Sequence, residues 1–269
     1  MVRLLSRQHR ADGGQLRPMK KFACRVFSIV MAAGVSACAW GADLTVSAAA
    51  SLTNAFQQLG PLFEASHPGT KVLFNFGASG ALLQQLSRGA PVDVLATADQ
   101  HTMDQAQSRG LVEAGARRNF VSNALVVIVP TATRQSPRAL ADLVHPGYKR
   151  ITIGLPASVP VGRYTKAVLE QAGLWAAIKP KMIGAQSVRQ ALDYAARGEV
   201  DAAFVYATDA AIVNDKVKVT LVVPTQMPVL YPIAATASSA NPAAAAAFVR
   251  FVESPPAQAV LGKFGFGKP

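Results

Sequence analysis

The feature that most constrains the fold is a regular alternation of short apolar runs with longer segments of helical periodicity. In the first third of the chain, the runs DLTVSAAA, TKVLFNF and VDVLATA each precede a segment with apolar residues at helical spacing. Strands joined through helices pair in parallel, because the helix carries the chain back to the edge where the sheet began. The alternation therefore predicts an α/β fold with a mainly parallel sheet covered by helices on both faces.

The pattern changes at Asn123, where the long β-branched run NALVVIVP begins. A second set of strand and helix patterns follows this run, and two helical patterns close the chain. We predict two α/β lobes, one made of residues 43–122 with 237–269 and an inserted one of residues 123–236. Two such lobes leave a cleft between them, and ligands of open α/β folds bind beyond the carboxyl ends of strands.

Residues 1–42 differ in character from the rest of the chain. From Met19 a basic start, an apolar run and a group of small residues follow one another, as is typical of a secretory signal peptide. The apolar run is shorter than the roughly 20 residues that span a bilayer. We predict export, with cleavage after Ala39, Gly41 or Ala42. Two alternatives stay open: a lipid on Cys38, which ends the sequence VSAC, and an uncleaved membrane anchor.

The net charge of +12 does not indicate a nucleic-acid surface. The predicted leader holds seven Lys and Arg residues and one acid, and the other 20 basic and 14 acidic residues are scattered along the chain. Without a basic cluster we expect no nucleic-acid partner. Both cysteines, Cys24 and Cys38, also lie in the leader, so the mature chain would have no disulfide, catalytic thiol or zinc–thiolate site.

Four junctions where a strand pattern meets a helix pattern carry chemistry that suits an anion. These junctions contain Ser51, Ser79, the run Pro160-Val161-Gly162 and the pair Ser187-Val188, in the sequences AAASL, GASGA, PVG and SVR. The first N–H groups of a helix have no intrahelical partner and carry partial positive charge. A single serine before a helix is more typical of an N-cap, and Ser51 is the predicted N-cap of the helix that follows it. The occurrence of the four junctions together favours an oxyanion site built from neutral donors.

Ser79 also allows a second interpretation, as a nucleophile. GASGA is close to the G-x-S-x-G elbow of serine hydrolases, although Ala81 replaces its last glycine. Asp142 and His145 follow in the order of a catalytic triad, but they lie three residues apart in a segment that reads as a surface turn. The histidines and carboxylates show no metal-binding spacing. We predict a protein that is not an enzyme and needs no cofactor, with a hydrolase as the alternative.

Six stretches of the chain resemble the periplasmic molybdate-binding proteins of ABC transporters: AAASLTNAF, FNFGASGALLQQL, GAPVDVLATAD, VPVGRYTKAVLE, SVRQAL and FVYATDA. The resemblance runs from Leu44 to about Phe266 and implies the two-lobed type II periplasmic binding protein fold. It implies that molybdate or tungstate is the ligand, held without a metal-ion ligand from the protein. The implied donors are the hydroxyl and N–H groups of Ser51, the turn at Ser79, the N–H groups of Val161 and Val188, and the phenol of Tyr206.

The resemblance further implies a monomeric periplasmic protein that delivers its oxyanion to a membrane permease. The chain departs from the family pattern at Val161, where alanine is common, at Leu155, where Asp or Asn is frequent, and at Gly80. A backbone donor tolerates a changed side chain, so we expect binding to persist. The ranking of molybdate, tungstate and sulfate stays open, and a sensor or a binding protein for another oxyanion is the alternative.

Overall fold

The computed structural model describes residues 42–113 and 115–269, and the predicted leader with Met19 and Cys38 lies outside these residues. Within them the chain forms two five-stranded sheets, each covered by helices. We use "lobe 1" for the first sheet with its helices and "lobe 2" for the second. No helix of the described residues is long and apolar enough to cross a membrane.

The sheet of lobe 1 contains β1 (Ala42–Ala49), β2 (Thr70–Gly77), β3 (Val94–Ala96), β4 (Arg118–Asn123) and β10 (Val229–Ala235). Their order is β2-β1-β3-β10-β4. β1 pairs in parallel with β2 and β3, and β10 pairs antiparallel with β3 and β4. Four strands therefore run one way and β10 runs the other way.

The sheet of lobe 2 repeats this arrangement. It contains β5 (Leu125–Pro130), β6 (Ile151–Gly154), β7 (Met182–Ala185), β8 (Ala202–Tyr206) and β9 (Val217–Val223). The order is β7-β6-β8-β5-β9, and β5 is antiparallel to both of its neighbours. Both sheets are thus mixed rather than wholly parallel, with one reversed strand in each.

Five helices belong to lobe 1: α1 (Thr53–Ser66), α2 (Ser79–Ser87), α3 (Gln100–Ser108), α8 (Pro242–Val252) and α9 (Pro255–Lys263). The first four pack against strands of the sheet, and α9 packs on α1 and α8. The closing helices therefore pack on the elements of lobe 1.

An aromatic cluster fixes α8 onto α1. Phe56 and Phe63 of α1 meet Phe248 of α8 edge to face, with ring centroids 6.0 and 5.1 Å apart. All three side chains are fully buried. Edge-to-face aromatic pairs add stability beyond the area they bury, so this cluster joins the end of the chain to its beginning.

Lobe 2 contains α4 (Pro160–Gln171), α5 (Trp175–Ile178), α6 (Val188–Ala196) and α7 (Ala207–Ile212), with a 3₁₀ segment at Leu140–Val144. α4 packs on β6, and α6 and α7 pack on β8. The short helices α5 and α7 are absent from the sequence prediction, because four to six residues carry too little periodicity to reveal a helix.

The chain crosses between the sheets twice. It leaves lobe 1 at Ala124, between β4 and β5, and returns through residues 224–228, between β9 and β10. Sequence analysis assigned residues 229–235 to the inserted lobe, and the structure corrects this by placing β10 in the first sheet. An apolar run shows that a strand is buried but not which sheet it joins.

Candidate functional site

The five predicted site residues line one cavity between the lobes. Its cavity volume is about 10 Å³, so the lining residues lie close together in this structure. Ser51 and Ser79 come from lobe 1, and Val161, Val188 and Tyr206 come from lobe 2. None of these residues is ionised at neutral pH. The rest of the described lining is small or apolar and consists of Ala50, Gly77, Ala78, Ala98, Val159 and Pro160.

Ser79 is the first residue of α2, and its side chain is fully buried. Its Oγ accepts a hydrogen bond from the N–H of Ala98 at 3.0 Å. A hydroxyl carries a single proton. Because the oxygen is already engaged by a backbone donor, the proton of Ser79 is left for another acceptor.

Ser51 lies in the 3₁₀ turn that precedes α1, so it is not the N-cap that sequence analysis made it. α1 begins at Thr53, with Leu52 as its N-cap. The Oγ of Ser51 instead lies 2.9 Å from the phenol oxygen of Tyr231 in β10. Sequence analysis missed Tyr231, because a tyrosine in an apolar strand gives no sign of which distant residue its hydroxyl meets.

Val161 and Val188 offer backbone N–H groups rather than side chains. Val161 is the second residue of α4 and Val188 the first of α6, positions whose N–H groups have no intrahelical acceptor. Both side chains are buried. Ser187 caps α6 by accepting the N–H of Gln190 at 3.2 Å. The cap fixes the start of α6 and thus the position of the N–H group of Val188.

A glycine allows the start of α4 to lie close to β6. A Cβ added at Gly162 would lie 1.9 Å from the carbonyl oxygen of Gly154. No side chain fits in such a space, so only glycine permits this approach. The contact holds the N-terminus of α4, including Val161, against the carboxyl end of a strand.

Tyr206 ends β8 and precedes α7, and its side chain is buried. Its hydroxyl donates to the carbonyl of Ala98 across the cleft. The distance between the two oxygens is 3.5 Å, which is long for a hydrogen bond. Burial, with smaller contributions from Tyr231 and nearby carboxylates, raises the pKa of Tyr206 well above its usual range. The phenol therefore stays protonated and can donate a hydrogen bond at any physiological pH.

Several contacts hold the two lobes together beside the cavity. The N–H of Gly80 in lobe 1 donates to the carbonyl of Ser158 in lobe 2 at 2.9 Å. The guanidinium of Arg163 in α4 donates to Asp99 at 2.7 Å and to Thr102 at 2.7 Å, both of lobe 1. The lobes are therefore closed on each other in this structure.

Arg189 makes a second connection across the cleft. Its Nε donates to Asp209 at 2.6 Å within lobe 2. Its two terminal nitrogens donate to Oδ1 of Asn54 at 2.7 Å and to the carbonyl of Ser51 at 3.3 Å. Arg189 follows Val188 in the chain, so one side chain ties the start of α6 to the turn that carries Ser51.

The carboxylate of Asp209 should make stability depend on pH. Burial raises its pKa to about 6, although Arg189 lowers it, and the unfolded value is about 4. The folded protein thus binds more protons than the unfolded chain, and the stability gained from protonation is fully present below about pH 4 and lost as pH rises through about 6. We expect wild type to lose stability relative to Asp209→Asn between pH 4 and 7 in urea unfolding. Parallel pH profiles for the two proteins would contradict this prediction.

The residues of the hydrolase interpretation are not brought to Ser79. Asp142 and His145 line a separate open pocket on lobe 2, with Gln135 and Tyr148 among its other residues. Asp142 accepts the N–H groups of residues 138 and 139, and these bonds hold its pKa below the usual range. Within residues 42–113 and 115–269 no three His, Cys, Asp or Glu residues gather into a metal site.

Known proteins resemble this chain over most of its length. Residues 44–267 match the family described as bacterial extracellular solute-binding protein. The chain is 34% identical over 231 residues to the molybdate-binding protein ModA of Escherichia coli, which covers 83% of this chain and 88% of the relative. The resemblance that the sequence motifs suggest is confirmed by these matches.

Solved structures share the fold. The periplasmic molybdate-binding protein of Azotobacter vinelandii superposes with a TM-score of 0.72 at 24% identity, over 84% of this chain and 99% of that chain. The sulfate-binding protein SubI of Mycobacterium tuberculosis superposes with a TM-score of 0.73 at 21% identity, over 84% of this chain and 86% of that one. The predicted two-lobed periplasmic binding protein fold is confirmed.

Proposed function

Because the chain belongs to the bacterial extracellular solute-binding protein family, we propose that it captures a tetrahedral oxyanion, molybdate in the first place, between its two lobes. The observation that carries the proposal is the convergence of Ser51, Ser79, Val161, Val188 and Tyr206 on one cavity. The name of the Escherichia coli relative supports molybdate as the ligand. In this proposal the protein binds its ligand without transforming it.

The chemistry of the donors suits a dianion. Hydrogen bonds to a charged group contribute about 1.5–3 kcal/mol each. Helix N-termini add a favourable potential without an ionised side chain. Such donors together offset the loss of the anion's hydration shell. The same donors would bind tungstate, which has the same shape and charge as molybdate. The width of the closed cavity would discriminate against sulfate.

The proposed cellular role is transport. A leader that begins at Met19 would export the protein, which would act in the periplasm as a monomer and deliver its oxyanion to a membrane permease. Lipidation at Cys38 would instead tether the same binding unit to the membrane. The mass of the N-terminal peptide of the exported protein distinguishes cleavage after Ala39, Gly41 or Ala42 from lipidation.

Isothermal titration tests the proposal with molybdate, tungstate, sulfate and phosphate. We expect saturable 1:1 binding of molybdate and tungstate, and weaker or no binding of sulfate and phosphate. A protein that gives neither heat nor a thermal shift with molybdate and tungstate would refute the proposed ligand. Tight binding of sulfate alone would show that the protein binds another oxyanion than molybdate.

Ser79→Ala should weaken molybdate binding by about 10- to 100-fold, which is the value of one hydrogen bond to a charged acceptor. The variant also leaves the N–H of Ala98 without its acceptor, so a moderate loss of stability accompanies the loss of affinity. Titration of the folded variant measures the effect. Ser136→Ala, at an exposed serine of lobe 2, is the matched control and should bind like wild type.

A further inference from the structure

A chain of hydrogen bonds joins the cavity to the place where the polypeptide crosses between the lobes. It begins at Ser51, whose Oγ lies 2.9 Å from the phenol oxygen of Tyr231. It continues to Nδ2 of Asn123, 3.2 Å from the same phenol oxygen. Asn123 is the last residue of β4, directly before the first crossing, and Tyr231 lies in β10, which follows the second crossing.

The partners of Asn123 set the donor-to-acceptor direction of these hydrogen bonds. The N–H of Ala124 can only donate, and it lies 2.9 Å from Oδ1 of Asn123, which is therefore the amide oxygen. The amide nitrogen carries two protons, and its partners are Oγ1 of Thr208 at 2.8 Å and the phenol oxygen of Tyr231 at 3.2 Å. Tyr231 accepts from Asn123, and Ser51 is the one remaining partner of its hydroxyl among the described residues, so the geometry points to Tyr231 as the donor to Ser51.

We propose that Asn123 and Tyr231 are positioning residues that orient the hydroxyl of Ser51 as a hydrogen-bond donor toward the cavity. The Oγ of Ser51 accepts the proton of Tyr231, so the proton of Ser51 is left for an acceptor in the cavity. The inference rests on the proposed function and deepens it, because it names the groups that set the polarity of one ligand contact.

Burial makes this arrangement persistent. Ser51 is 3% exposed and Tyr231 is fully buried, so water has little access to replace either partner. Burial also raises the pKa of Tyr231 well above its usual range, and the phenol keeps the proton that it gives to Ser51. A hydrogen-bonded network in a low-dielectric interior holds its polarity better than the same groups would in water.

The hydroxyl of Ser79, the second serine of the cavity, is also held as a donor, but by a different contact. Ser79 accepts from the N–H of Ala98, and this leaves its proton for the cavity too. Two hydroxyls held as donors suit a ligand that presents only acceptor atoms, which describes a fully ionised oxyanion. Thr208 belongs to lobe 2, so the amide of Asn123 also bonds to both lobes at once.

Tyr231→Phe tests the inference, because it removes the proton that Ser51 accepts and keeps the ring. We expect the Kd for molybdate to rise about 5- to 10-fold, within the net worth of one oriented hydrogen bond. In a Ser51→Ala background the same substitution should change Kd less than about 2-fold, since the hydroxyl that it orients is gone. Titration of the four proteins completes the double-mutant cycle.

Two further variants sharpen the test. Tyr148→Phe removes the hydroxyl of a buried tyrosine outside the cavity lining, and it should bind molybdate like wild type. Asn123→Asp replaces the donor amide by an acceptor, which turns the proton of Tyr231 away from Ser51. Its loss of affinity should exceed that of Tyr231→Phe, and the loss should shrink in the Ser51→Ala background, where only the added charge still acts.

The outcomes separate this inference from the proposed function. A wild-type protein that binds no oxyanion overturns both. A wild-type protein that binds molybdate, with Tyr231→Phe equally harmful in the presence and absence of the Ser51 hydroxyl, overturns the inference alone, because Tyr231 would then act only through the fold. Unchanged binding by Tyr231→Phe overturns it as well.

Discussion

Gly80→Val should weaken molybdate binding by about 100-fold or more and leave the two lobes folded. A Cβ at Gly80 would lie 2.6 Å from the carbonyl oxygen and 2.8 Å from the Cα of Ser158, which belong to the opposite lobe. The two methyl groups of valine cannot both turn away from this contact. The lobes would have to separate, and the donors of one lobe would no longer reach a ligand bound to the other. Loss of two hydrogen bonds of about 1.5 kcal/mol each corresponds to roughly 100-fold in Kd.

Titration with molybdate measures this effect, and the unfolding transition reports on the fold. Gly262→Val is the matched control, because Gly262 lies in a helix of the same lobe and a Cβ there meets nothing within 4 Å. The control carries the same helix-propensity change without the contact between lobes. Wild-type affinity in Gly80→Val would show that the closed arrangement of the lobes is not required for binding.

Arg189→Met should destabilise the protein by about 3–5 kcal/mol at pH 7, the cost of breaking a buried ion pair from one side. Asp209 is fully buried, its Oδ1 depends on Arg189, and its Oδ2 has no hydrogen-bond partner among the described residues. Methionine keeps much of the apolar stem but leaves the carboxylate uncompensated. The contacts to Asn54 and Ser51 disappear as well, so molybdate affinity should fall in the same variant.

Urea unfolding at pH 7 measures the loss of stability. Adding Asp209→Asn to Arg189→Met removes the uncompensated charge and should recover much of the lost free energy of unfolding. Arg163→Met allows this loss of stability to be compared with the loss at a carboxylate that keeps a hydrogen-bond donor. Its partner Asp99 is 3% exposed and also accepts the N–H of Thr102. If the double variant unfolds as easily as Arg189→Met alone, the ion pair is not the cause of the destabilisation.

Much of the fold was predictable because it depends on local patterns. The strands β1, β2 and β3 and the helices after them follow the apolar periodicity of the chain, and buried parallel strands read as continuous apolar runs. The first crossing at Ala124 coincides with the change of pattern at Asn123. β4, with the sequence RNFVSN, was missed because an edge strand of mixed polarity resembles a loop.

That the five predicted site residues lie at one cavity was predictable for a different reason. They lie where strands end and helices begin, and in an α/β fold such junctions gather at one edge of each sheet. Two of them are valines, and as side chains they carry no binding chemistry at all. The resemblance to a family was needed to select them, because a backbone donor leaves little trace in the residue type.

The sequence by itself determined the α/β class, the two lobes and the strand-to-helix junctions that carry free N–H groups, because helix starts and apolar periods are local properties. Only the tertiary structure decided that β10 lies in lobe 1 and that Arg163 and Arg189 bond across the cleft. It also decided that Tyr231 contacts Ser51 and that Asn123 contacts Tyr231. These contacts join residues 64 to 180 positions apart. Such pairs are selected by how packed elements meet in space, which no local pattern of side chains records.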